Sequence, residues 1–216
     1  MTENVLRRQS GIIRIVAKIL SYVFHPLFVP TYIFIWMVNR FPYEFIGLQG
    51  HELTLREIGV FMTTAFFPAF TVLLLWKLGF AKSIHLRNQK ERIIPYIATM
   101  IFYWWMWYLS RNFTDQASAL KFFYFGIFLA TVPGLILNNF VKVSMHAMGM
   151  GGALAGVILT CLLYQNNYGL DITIMTLIAG IVCSARMALS EHSLFEINLG
   201  LFIGIACQIM GYWVMM

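Results

Sequence analysis

Three ionisable residues near the end of the chain, Arg186, His192 and Glu196, lie in a short polar gap between two long apolar stretches. His192 and Glu196 are four residues apart, and on a helix that spacing stacks side chains one turn above another on one face. Helical side chains lean toward the N-terminus, so Glu196 is expected to reach back to the imidazole. A carboxylate holding a histidine, with an arginine nearby to clamp an anion, suits a nucleophile and its orienting partner.

A second polar segment, Lys142-Val-Ser-Met-His146, opens an apolar stretch containing Gly149, Gly151, Gly152 and Gly156. Its chemistry would be acid catalysis by His146 and a hydrogen bond from Ser144 to a phosphoryl oxygen. Its plainer reading is a serine helix cap followed by a Gly152-x-x-x-Gly156 packing face. A third segment carries Lys82, His85, Arg87, Lys90, Glu91 and Arg92 ahead of Pro95, which suits the first turn of a helix. Glu196 has a plain reading too: Ser193-Leu-Phe-Glu196 fits a capping box. That reading leaves Arg186 without a task, and an arginine beside hydrocarbon is costly unless it binds an anion or reaches water.

The elements that must position these groups are membrane helices. The 216 residues are 60% hydrophobic and 11% charged, with a mean hydropathy of +0.74. A soluble monomer does not expose the apolar surface which that balance implies. Apolar runs cover residues 19–38, 58–76, 96–109, 120–140, 147–164, 172–189 and 198–214. Seven spans are therefore expected in a single all-α domain covering residues 1–216. In the first span, His25, Pro26 and Pro30 predict a kink or a re-entrant turn. Successive polar segments are separated by two crossings, which brings all three to one side of the membrane. Tyr103, Trp104, Trp105 and Trp107 suit an interfacial belt.

Residues 1–18 are polar and basic and run into the first span, so no separate cleavable signal is expected. The net charge of +6 falls largely in segments flanking apolar runs. A membrane surface or a phosphate group is the expected partner, and nucleic acid is not. Cys161, Cys183 and Cys207 lie within spans without paired spacing and read as small buried hydrophobes. The loop charges Arg40, Glu44, His51, Glu52, Arg56 and Glu57, on the other side, are mixed in sign and read as solvated.

Taken together, the three polar segments resemble the type 2 phosphatidic acid phosphatase superfamily of lipid phosphatases. That family carries Lys-x6-Arg-Pro, Pro-Ser-Gly-His and Ser-Arg-x5-His-x3-Asp. Here the third motif reads Ala185-Arg186-x5-His192-x3-Glu196, with intact spacing and Glu for Asp. The second reads Val143-Ser144-Met145-His146, and Lys90-Glu-Arg92-Ile-Ile-Pro95 has the residues of the first at altered spacing. The resemblance runs from about residue 87 to 196 and implies a six- to seven-helix core and a metal-independent phosphatase without cofactor. It implies His192 as nucleophile, Glu196 as its orienting carboxylate and His146 as proton donor. Lys90, Arg92, Ser144 and Arg186 would hold the phosphate. The expected substrate is a lipid phosphate or polyprenyl pyrophosphate, in the inner membrane of a prokaryotic cell, with a homo-oligomer compatible.

Two other readings fit the same residues: a lipid head-group phosphotransferase and a non-catalytic scaffold. A transporter is disfavoured, because no Asp or Glu falls in the middle of an expected span. Arg7, Arg8, Arg14 and Lys18 favour a cytoplasmic N-terminus. With a full first span the site shares that face; with a re-entrant one it lies opposite.

Overall fold

A chain in hydrocarbon must satisfy its backbone internally, and a helix does so within one segment. The computed structural model describes residues 11–84, 88–165 and 168–216, and among them every regular element is helical. Arg7, Arg8, His85 and Arg87 lie outside the described residues. The helices are α1 (Gly11–Val23), α2 (Val29–Arg40), α3 (His51–Phe61), α4 (Phe67–Lys77), α5 (Ile93–Asn112), α6 (Ser118–Asn138), α7 (Met145–Leu163), α8 (Gly169–Ala188) and α9 (Leu194–Met215). A π-helical turn, Met62–Phe66, joins α3 and α4 into one rod, His51–Lys77. It lies just ahead of Pro68, whose ring would clash with the carbonyl one turn back in a regular helix.

Five rods are long and apolar enough to cross a membrane: His51–Lys77, α6, α7, α8 and α9. They mark the chain as a membrane protein. The expected count of seven is not reproduced by length and apolarity. α5 has 20 residues, but Tyr96, Tyr103, Trp104, Trp105, Trp107 and Tyr108 make it less apolar than its neighbours. The first expected span is broken into α1 and α2, of 13 and 12 residues. The break lies at His25–Pro26, where the Leu27 amide points at His25 Nδ1 at 3.4 Å. Pro30 falls in the first turn of α2, where a missing N–H costs nothing.

The break reverses the chain. Ser21 of α1 meets Arg186 near the end of α8, and Ile12 and Ile13 line a groove with Thr176 and Leu177. α1 therefore runs parallel to α8. α2 runs the other way: Pro26 lies against Gly149 near the start of α7, and Arg40 pairs at 2.6 Å with Asp171 at the start of α8. Trp36 Nε1 donates to the same carboxylate at 3.0 Å. α1 and α2 thus form a hairpin whose turn points toward the three polar segments.

The centre of the bundle is the seam of α7, α9 and α6. A Cβ at Gly204 of α9 would strike the Met148 carbonyl oxygen of α7, and one at Gly200 would lie 2.6 Å from the Ser144 carbonyl oxygen. Such approach is open only to glycine, and close backbone packing is what holds helices together where lipid is as apolar as leucine. The Gly152-x-x-x-Gly156 face contributes differently, since Gly156 accommodates the Phe123 ring. Gln208 is fully buried on α9 and donates to the Phe123 carbonyl of α6 at 3.1 Å.

Candidate functional site

The last polar segment leaves α8 through Ser190, at φ +55°, and enters α9 with Ser193 as its cap. Glu196 accepts from the Ser193 amide at 3.0 Å, and the Glu196 amide donates to Ser193 Oγ at 3.3 Å. The capping box is therefore complete. The same carboxylate oxygen, Oε2, lies 3.1 Å from His192 Nδ1. Glu196 serves both tasks, so the two readings of its sequence are not rivals.

His192 Nδ1 also lies 3.0 Å from the Lys142 carbonyl oxygen. Both neighbours are acceptors, so Nδ1 carries the proton and Nε2 keeps a free lone pair in the neutral ring. The side chain is only 3% exposed. Burial first, and then the charge of Arg186, push its pKa below the ordinary 6.5; the bond to Glu196 opposes this, and Lys142 and Arg92 add to the lowering. A neutral imidazole at pH 7 follows.

The second segment is stitched to the third. The Ser144 amide donates to the Glu196 carbonyl at 3.3 Å, and Lys142 Nζ donates to the Glu191 carbonyl at 3.2 Å. Ser144 itself is fully buried and caps α7, its Oγ accepting from the Ala147 amide at 3.4 Å. Its hydroxyl oxygen is thus engaged at the helix start. His146 faces the hairpin turn instead: its Nε2 lies 2.9 Å from the Ser21 carbonyl oxygen. That bond assigns the proton to Nε2 and leaves Nδ1 as the second functional nitrogen.

The first segment joins through Asn138, whose side chain donates to the Gln89 carbonyl at 2.9 Å. On its short turn Arg92 is buried and Lys90 is exposed. Arg92 lies close enough to affect the charge of both Arg186 and His192. Arg186 Nη1 donates to Ser21 Oγ at 3.2 Å, and its Nε is buried without a hydrogen-bond partner among the described residues. His146 and His192 are within electrostatic reach of one another, with Arg186 near both. The structure therefore gathers Arg92, Lys142, His146, Arg186, His192 and Glu196 at one end of the bundle. Of these, Lys142 and Glu196 line an open depression of about 420 Å³, together with Asn88, Gln89 and Ser193. Neither histidine lines it.

Two participants did not emerge from spacing as site residues. Ser21 contacts both His146 and Arg186, and the His25 ring meets the His146 ring edge to face at 5.3 Å. The available signal was His25 itself, an ionisable group inside an apolar run, which is costly there unless it has a partner.

The geometry describes a neutral, buried histidine held by a carboxylate amid several cations, an arrangement suited to nucleophilic attack on an anionic centre. Comparison with protein-family models, curated proteins and solved structures finds no match to this chain.

Proposed function

We propose that the protein is a membrane-embedded phosphatase of a lipid phosphate or pyrophosphate, acting through a phosphohistidine. The observation that carries this reading is the Lys142 carbonyl–His192–Glu196 arrangement, which fixes the proton on Nδ1 and leaves Nε2 nucleophilic beside Arg186 and Arg92. Nε2 attacks phosphorus, the N–P bond forms and the P–O bond to the leaving group breaks. His146, whose Nε2 proton is held by the Ser21 carbonyl, must first take up a second proton at Nδ1, and the leaving oxygen takes that proton. Water then attacks the phosphohistidine, gives its proton to His146, and releases phosphate and free His192.

Glu196 stabilises the positive charge that grows on His192 during attack. Arg186 and Arg92 offset the charge of the phosphoryl oxygens, with Lys142 and Lys90 adding to the positive field. Ser144 supports the site by fixing the start of α7. Phosphoryl transfer needs mainly positioning and charge stabilisation, and side chains in a poorly hydrated site supply both.

His192→Ala in purified protein should abolish phosphate release from lipid phosphates, and EDTA should leave the wild-type rate unchanged. Full turnover by His192→Ala would refute the proposal.

A further inference from the structure

We propose that the groove between α1 and α8 seats a hydrocarbon chain of an anionic lipid and presents the head group to Arg186. The fate of that head group rests on the phosphatase reading; the seating of the chain does not. The groove has a volume of about 540 Å³, within the range of small-molecule sites. Ile13, Ala17 and Leu20 line one wall, and Leu177, Gly180 and Ala185 the other. From Thr176 to Ala188 it follows α8 for about 18 Å, at 1.5 Å of rise per residue.

Charge decides what the chain carries. Leu20 is the last α1 residue lining the groove, and Ser21 follows it, one turn beyond Ala17, to whose carbonyl its hydroxyl donates at 2.8 Å. Ser21 Oγ accepts from Arg186 Nη1, and Arg186 Nε is buried with no partner among the described residues. A chain lying against Ala17 and Ala185 therefore has Ser21 and Arg186, a cation with unused donor capacity, beside it in the next residues of α1 and α8. A neutral lipid gains nothing there, whereas a phosphate offers acceptors to the guanidinium.

Gly180 gives a clean probe, because a Cβ built there meets nothing within 4 Å. A side chain at that position starts into open space on the groove wall. The test is photo-crosslinking of the full-length protein in nanodiscs with phosphatidic acid carrying a mid-chain diazirine. Peptides from α1 and α8 should be labelled, and excess unlabelled phosphatidic acid should suppress the labelling while phosphatidylcholine with the same chains does not. Gly180→Phe takes up space the chain would occupy, so it should cut the saturable labelling. Leu177→Trp should do the same, and Gly59→Phe, on an exposed face of α3, should not.

Equal suppression by phosphatidylcholine, or labelling indifferent to both groove substitutions, would overturn the inference. Phosphate release measured on the same samples separates the two proposals. Saturable groove labelling without turnover supports the groove and removes the phosphatase. Turnover without groove labelling does the reverse.

Discussion

Glu196→Gln separates the two tasks that one carboxylate performs. The Glu196 Oε2 atom accepts from the Ser193 amide at 3.0 Å and from His192 Nδ1 at 3.1 Å. Glutamine has nearly the same shape and still offers an acceptor to the Ser193 amide, so the capping box survives and the fold is little affected. What disappears is the negative charge facing the imidazole. Replacing a charge-assisted bond by a neutral one costs about 1–2 kcal/mol where charge develops on the ring. That corresponds to a fall in plateau rate of about 5- to 30-fold.

The pH profile moves as well. Glu196 raises the His192 pKa against burial and Arg186, so its loss lowers that pKa further. His192 attacks only when neutral, and a lower pKa keeps it neutral in more acid solution. The acid limb of the rate profile, already below 6.5, should therefore shift to lower pH while the plateau drops. Phosphate release from a lipid phosphate, measured from pH 4 to 8 beside thermal unfolding, gives both quantities. Glu196→Ala should add a stability loss of about 1 kcal/mol, because the cap goes with the charge. A Glu196→Gln variant with an unchanged plateau and acid limb would leave Glu196 as a cap alone and refute the catalytic role.

Arg186→Gln should move the acid limb in the opposite direction, toward 6.5, because the charge that is the second cause of the lowered His192 pKa is removed; KM should rise in the same assay. Gly204→Ala should destabilise the protein by about 1–3 kcal/mol, since the new Cβ meets the backbone of Met148 and lies 2.6 Å from the Gly152 amide nitrogen. Gly180→Ala, with nothing within 4 Å, should be neutral or stabilise by up to about 1 kcal/mol, and thermal unfolding in detergent compares the two. In a cysteine-free background, single cysteines at Lys90 and Ser193 should label with a membrane-impermeant maleimide from one side of sealed vesicles. Cysteines at Glu52 and Thr114 should label from the other; mixed labelling within either pair would refute the shared rim.

What the sequence makes legible is local or periodic. Four-residue spacing places Glu196 against His192, Ser193-x-x-Glu196 reads as a capping box, and Pro95 falls in the first turn of α5, as its helix-start preference predicts. Counting crossings puts the three polar segments at one end, where Lys142 meets Glu191 and Gln89 meets Asn138. Partners distant in sequence leave no such trace. His25-Pro26 announces a break, but not that the turn delivers Ser21 to His146 and Arg186. The same limit applies to helix packing. The glycine spacing in α7 is conspicuous, yet the tightest approach depends on Gly204 of α9, whose facing carbonyl belongs to Met148. Ser144 reads more plainly as a cap than as a ligand, and its contact with the Ala147 amide shows the cap bond.

The Ser21 stitches carry a consequence for biosynthesis. Ser21 joins residues 125 and 165 positions later, so α1 waits for α7 and α8 before these polar contacts exist. A half-made chain has neither Arg186 nor His146, so Ser21 has neither of these partners. The rim is therefore assembled only once α8 and the segment leading into α9 have been made, and a product cut short before α8 cannot form it.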